Sequence, residues 1–235
     1  MALERANLLK STLTQAEPGR PITSGWLSDH GVSPQLAHHY VANGWLDRLG
    51  HGFYMRKGDE PTLEKALAVA MTDGHVGGKT ALAWMGFRHN LSVDGKTTLY
   101  SHDKVKVASW LAEWFPLSIR NRKLFENGDD LAVKTNVGGV PVSEPERAVL
   151  EMLSDFPSRQ GMEEAENLVE MLYGLRAELM QPLLESCTSV KTVRLFLMLA
   201  RKSSLPVVDD LDLDHVRMGA DRGYVIATPG GTLKL

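Results

Sequence analysis

Cysteine is nearly missing from this chain of 235 residues, in which Cys187 stands alone. A lone cysteine excludes an internal disulfide and a cysteine zinc cluster, and it fits a reducing compartment. Its expected place is that of a small apolar residue near a helix. Long apolar runs are missing as well. No stretch approaches the roughly 18 residues that suggest a membrane span. The N-terminal MALERANLLKSTLTQ mixes charges with its apolar residues where a signal peptide has an apolar core. The expected setting is therefore the cytoplasm, with no membrane partner. An excess of one charge is missing too. A net charge of −3 argues against holding nucleic acid through bulk positive charge, and leaves a local basic face open. What is present, 43% hydrophobic and 23% charged residues, is enough to build a core and excludes wholesale disorder.

Catalytic and metal signatures are also lacking. There is no HExxH and no Gly-x-Ser-x-Gly elbow. His38 and His39 are helix neighbours pointing about 100° apart, a poor chelate. Gly74-His75-Val76-Gly77-Gly78-Lys79-Thr80 resembles a phosphate-cradling loop, but the glycine required five positions before Gly78 falls on Asp73. Its flank, 66–71, reads as helix where a strand is needed, so a glycine-rich helix entry is expected. Asp209, Asp210, Asp212 and Asp214 suggest a calcium loop. Taking Asp210 as position one, however, sets His215 at the glycine position and Asp221 at the glutamate position. A solvated acidic edge strand is expected there. The reading is of a protein that is not an enzyme, with no catalytic residue, no metal and no cofactor.

The first 60 residues carry more information. Leu3, Ala6, Leu9 and Leu13 follow helical spacing and Glu17-Pro18-Gly19 ends that helix. A second helix starts at Thr23 or Ser24, carries Trp26 and Leu27, and stops near Gly31. Ser33 caps a third, with Pro34 at its first position and Gly44 as its left-handed stop. Two short strands, 45–49 and 52–55, then meet at Gly50-His51. A two-stranded hairpin is not stable alone. In this order it is the wing of a winged helix-turn-helix, resting on the third helix.

In that arrangement the exposed start of the third helix enters the major groove. Leu36, Ala37, Tyr40 and Val41 form its packing face, and Ser33, Gln35, His38, His39 and Ala42 lie opposite. Gln35 can offer a bidentate amide to adenine, and Ser33 can bond a base edge or phosphate. Residues 1 to 60 hold six basic and six acidic side chains. Phosphate contacts must then come from placement: Arg20 before helix two, Arg48 and His51 on the wing, Arg56 and Lys57 after it. Weak, salt-sensitive binding by one copy is expected, with two copies on paired half-sites.

Beyond about residue 60 helices alternate with short strands. Helices are expected at 62–71, 79–85, 163–173, 179–184 and 190–200, and strands around Leu99, Val105, Val107, Ile119, 131–137 and 140–142. In SEPERAVLEML, Ser143 as N-cap with Glu146 makes a capping box. The fold class is α+β: a winged helix-turn-helix over 1–58 followed by a mixed α/β C-terminal domain over 59–235.

"YVANGWLDRLGHGFY", "VGGKTALAWMGFRHNL", "SEPERAVLEML" and "CTSVKTVRLFLMLA" occur in that order. Together they resemble the AbiEi antitoxins of bacterial type IV toxin–antitoxin systems, which act in abortive infection, a phage defence. The resemblance implies a winged helix that represses its own operon by binding double-stranded operator DNA, with inverted repeats. It also implies a C-terminal domain that counteracts a cognate nucleotidyltransferase-like toxin; direct contact with the toxin is left open. Carried over by position, DNA reading falls on Gln35, His38 and His39, with Arg48 and His51 on the wing. Antitoxin function falls on Lys191 and Arg194, three apart on one helix face. Two rivals are a winged-helix regulator whose larger domain senses a small ligand, and an enzyme that uses the winged helix for protein contact.

Overall fold

The computed structural model describes residues 2–88, 95–126, 130–136, 138–219, 225–228 and 231–234. The expected turn position at residue 137 and the twelfth calcium-loop position at Asp221 lie outside the described residues. In chain order the elements begin with α1 (Ala2–Gln15), β1 (Ile22–Thr23), α2 (Ser24–Asp29), α3 (Pro34–Ala42), β2 (Leu46–Gly50), β3 (Phe53–Arg56), α4 (Leu63–Ala70) and β4 (Met71–Asp73). Next come β5 (His75–Val76), α5 (Gly78–Trp84), β6 (Thr97–Ser101), β7 (Lys106–Val107), α6 (Leu111–Trp114), β8 (Leu117–Asn121), β9 (Val133–Thr135) and β10 (Pro141–Ser143). The chain closes with α7 (Pro145–Ser154), α8 (Met162–Glu170), α9 (Ala177–Ser186), α10 (Val190–Lys202), a 3-10 turn at Pro206–Asp210, and the hairpin β11 (Val225–Thr228) and β12 (Gly231–Lys234). Two compact units result. One takes in Met1–Thr72, Lys106–Phe115 and Val137–Val140; the other takes in Asp73–Val105, Pro116–Asn136 and Pro141–Leu235.

In the first unit, local signals place the helices. Thr23 accepts the Trp26 N–H at 3.1 Å and caps α2, while Ser33 accepts the Leu36 N–H at 3.3 Å and caps α3, with Pro34 in the first turn. Gly44 (φ +71) ends α3: its N–H meets the Val41 carbonyl and that of Trp45 meets Tyr40, the Schellman pattern. Ala16, Ile22, Leu27, Val32, Ala37, Tyr40 and Leu46 form one buried cluster under these helices. The hairpin gains a third strand, in the order β1-β3-β2, through Thr23 opposite Phe53.

The hairpin also rests on something remote in sequence. A Cβ on Gly50 would lie 2.7 Å from the indole of buried Trp110, whose ring meets Phe53 at 5.6 Å. The 106–115 segment thus supports the wing from within the same unit, as α3 does.

The second unit is built on a five-stranded mixed sheet, β8-β6-β5-β10-β9. Val76 pairs with Leu99 on one side and Val142 on the other, which makes the two-residue β5 central. Against this stands α7, buried from Glu146 to Ser154 and packed by α5, α8, α9 and α10. Two expectations change here. Glu144, not Ser143, is the N-cap of α7, because the Ser143 hydroxyl is engaged elsewhere and Glu146 turns to Arg176. The acidic run is no edge strand: Asp209 and Asp210 close a 3-10 turn, and Asp212 accepts the Asp214 N–H at 3.0 Å in a local turn. Cys187 is buried at the end of α9, and burial pushes its thiol up to about 11.

Candidate nucleic-acid interface

The side chains singled out on α3 divide as the spacing predicts. Ala37 and Tyr40 are buried and Leu36 and Val41 half-buried, whereas Ser33, Gln35, His38, His39 and Ala42 are exposed. Gln35 and His38 leave the first turn and the helix middle on the same side, one turn apart. Ser33 is already the cap acceptor, and it retains its hydroxyl proton and one lone pair for a ligand. Asn43 Nδ2 donates to the His39 carbonyl at 2.7 Å and lies against its ring.

The basic residues differ in how far they are committed. Arg56 donates Nε to Asp59 Oδ2 at 3.1 Å and a terminal nitrogen to Oδ1 at 3.2 Å. Lys57 pairs with Asp47 at 2.8 Å, and Arg20 reaches Glu17 at 3.8 Å. Arg48, exposed on β2, donates Nε to the Gly50 carbonyl at 3.3 Å, leaving the outer guanidinium nitrogens in solvent. His51 is exposed at the tip of the turn. The arrangement brings Arg48 and His51 together on the wing and binds Arg56 to its neighbour. Trp45, 55% exposed where the wing begins, is a feature that sequence reading passed over. Reading it as an ordinary strand residue hid that; Leu46 beside it is buried, so alternation already turned Trp45 outward.

In the second unit Lys191 and Arg194 share the first turns of α10, and both are half-buried. Lys191 Nζ donates to the Ser154 carbonyl at 3.2 Å and to that of Phe156, at the end of α7, where a cation is favourable. Burial, then the nearby Arg122, pull its pKa down, against Asp155. Arg194 Nε donates to the Met218 carbonyl at 2.7 Å.

The glycine-rich loop has a different explanation from phosphate binding. The carboxylate of Glu151, buried on α7, accepts the Gly78 N–H at 3.0 Å at the start of α5. Its other partners are His75 Nε2 at 2.7 Å, Arg147 Nε at 2.8 Å and the Ser143 hydroxyl at 2.8 Å. A Cβ on Gly77 would sit 2.2 Å from this carboxylate, and Gly78 has φ +54. The protein's own carboxylate fills the anion position at the helix start. Among the described residues no group of three or more His, Cys, Asp or Glu could hold a metal, and no helix is long and apolar enough to cross a membrane.

Residues 5–93 match the family described as "Transcriptional regulator, AbiEi antitoxin N-terminal domain". Residues 94–233 match the one described as "Transcriptional regulator, AbiEi antitoxin, Type IV TA system", where TA denotes toxin–antitoxin. This is a family of regulators, not of enzymes. No curated protein matches the chain. Among solved structures, the crystal structure of the RV2827C protein from Mycobacterium tuberculosis is similar with a TM-score of 0.59, over 96% of this chain and 89% of that one. At 15% identity that likeness speaks to the fold alone.

Proposed function

Because the chain belongs to the AbiEi antitoxin family and is the transcriptional regulator of a type IV toxin–antitoxin system, we propose that residues 1–58 act as a winged helix repressing its own operon. A regulator implies DNA as a partner, and an antitoxin implies a cognate toxin. The observation that carries the finer reading is the exposed face of α3, with Gln35, His38 and His39 held by a capped, glycine-stopped helix beside a wing bearing Arg48 and His51. Gln35 reads adenine; Arg48 and His51 touch the neighbouring backbone. Ser33 and Arg20 hold phosphates at the helix entry, and Arg56 joins them only if Asp59 releases it. With so few uncommitted cations, one copy binds weakly and two share an inverted repeat.

The second unit carries the antitoxin half, directed at a nucleotidyltransferase-like toxin. Lys191 and Arg194 serve it by anchoring the start of α10, since both are tied to backbone carbonyls.

The test is equilibrium binding of the full chain to its own upstream DNA across a salt series, beside a Gln35→Ala/His38→Ala variant. Wild type is expected to prefer that fragment over random DNA, and the variant to lose the preference. Equal, poor binding of both fragments at low salt would remove DNA from this reading.

A further inference from the structure

The second unit holds a cleft of about 740 Å³ between α5, the strands β6 and β8, and the 157–161 segment leading into α8. That volume lies in the range of sites for small organic ligands, roughly 300–1,000 Å³. Five cationic side chains line it: Lys79, Arg88, Lys96, Arg120 and Arg159. Among the described lining residues Glu164 is the single carboxylate. Two of the five are neutralised, Lys79 by Glu164 at 2.9 Å and Arg120 by Asp155 at 2.7 Å. Arg88, Lys96 and Arg159 are exposed, and none of them has a carboxylate partner among the described residues. The cleft therefore offers a surplus of positive charge to an anion.

Charge alone does not define the ligand; the walls do. Trp84 and Phe87, both half-buried, line the same cleft. Aromatic side chains in a cleft that also carries guanidinium groups fit a planar base bearing phosphate, the first stacking and the second bonding. Gln160 also lines the cleft. It is 2% exposed, and its Nε2 donates to the Gly161 carbonyl and to Glu164 Oε2, both at 3.1 Å, which fixes the amide orientation. Its Oε1 is buried and accepts no hydrogen bond. A buried acceptor left unpaired is unfavourable, and this one is closed to solvent, so a ligand reaches it only if the side chain turns toward the cleft.

We propose that this cleft binds a nucleoside phosphate, free or as the terminal residue of a nucleic-acid strand. Base stacking falls to Trp84 and Phe87, and the phosphate to Arg159, Lys96 and Arg88. The site is independent of the operator-reading face, because every residue in it belongs to the second unit.

Calorimetric titration of the full chain with AMP, adenosine, inorganic phosphate and a 5′-phosphorylated single-stranded RNA hexamer tests it. AMP or the hexamer is expected to saturate one site, with adenosine and phosphate each weaker than AMP. The exposed-residue variant Lys96→Ala/Arg159→Ala should weaken binding by about tenfold or more, and Trp84→Leu should weaken AMP while sparing phosphate. Tighter binding of AMP identifies a free nucleotide as the source, and tighter binding of the hexamer a strand end. The proposal is overturned if neither binds at millimolar concentration to protein that keeps its circular dichroism spectrum. It is equally overturned if phosphate matches AMP, or if the double variant, which does not depend on a buried change, binds as wild type. A Gln35→Ala/His38→Ala variant should bind AMP normally; loss of binding there would move the ligand to the first unit and overturn the assignment.

Discussion

The two units differ in where their charges are placed. In the first, ion pairs lie at the rim: the Lys57 and Asp47 side chains are 61% and 45% exposed, and Arg56 meets Asp59 at the end of the wing. The second also has exposed pairs, such as Arg217 with Glu126, but it draws other charges inside. Glu151 and Arg147 are almost wholly buried at 2.8 Å, and buried Glu146 accepts from Arg176 at 2.9 Å. Exposed pairs contribute about 0–1 kcal/mol, whereas breaking a buried pair costs about 3–5 kcal/mol. Rim charges can therefore be arranged to suit a partner, while interior charges hold the frame and are not available to one.

The sharpest way to break that comparison is Glu151→Gln. It leaves Arg147 and His75 around a neutral amide with one acceptor oxygen in place of two, so an NH2 group must face either the Gly78 N–H and Ser143 or His75 and Arg147. Destabilisation of about 3–5 kcal/mol is expected in urea unfolding, and a loss below 1 kcal/mol would show that the cluster is not what holds α7 to α5. The same carboxylate sets an acid limit. Burial pushes its pKa up, but His75 and Arg147 overrule burial and hold it down at about 2. A depressed carboxyl contributes in full above the ordinary glutamate value of about 4.3 and loses that contribution as pH falls toward 2. Thermal unfolding from pH 7 to 2 should therefore fall more steeply below pH 4.3 for wild type than for Glu151→Gln; parallel curves would exclude Glu151 as the cause.

Much of the first unit was legible from residues 20–55, because its signals are local. Caps at Thr23 and Ser33, the stop at Gly44 and the apolar face of α3 act within one turn of the residue that carries them. The support of the wing by Trp110 was not legible, since sixty residues of chain separate it from Gly50. The second unit was legible in its long amphipathic helices and not in its centre. β5 has two residues, too few for any alternation to register, and its neighbours come from β6 and β10. Gly77 and Gly78 were visible as glycines, but their reason, a carboxylate arriving from residue 151, was not. The cleft gathers α5, β6, β8 and the 157–161 segment, and no spacing in the sequence joins them.

Two serines sharpen the contrast at intermediate cost. Both Ser33 and Ser143 stand where a cap is expected, yet only Ser33 accepts a backbone N–H. Ser143 donates to the buried Glu151 carboxylate at 2.8 Å. A bond to a charged group is worth about 1.5–3 kcal/mol, and an N-cap typically about 1 kcal/mol. Ser143→Ala should therefore lower stability more than Ser33→Ala, measured as the shift in urea midpoint for each. A reversed order would mean that the cap, and not the interior network, dominates.

The smallest expected change in stability carries the most information about the partner. Asp59→Asn removes the carboxylate that grips Arg56 by two nitrogens at 3.1 and 3.2 Å. Both side chains are partly exposed, so folding should lose no more than about 1 kcal/mol. What changes is the cation, now free to reach a phosphate beside Arg48 and His51. Each added phosphate contact steepens the dependence of log K on log salt by about 0.9. The variant should then bind upstream DNA more tightly at low salt, with a slope steeper by about that amount. An unchanged slope would place Arg56 outside the footprint, because a surface charge released from its partner still adds nothing to DNA affinity if no phosphate lies within its reach.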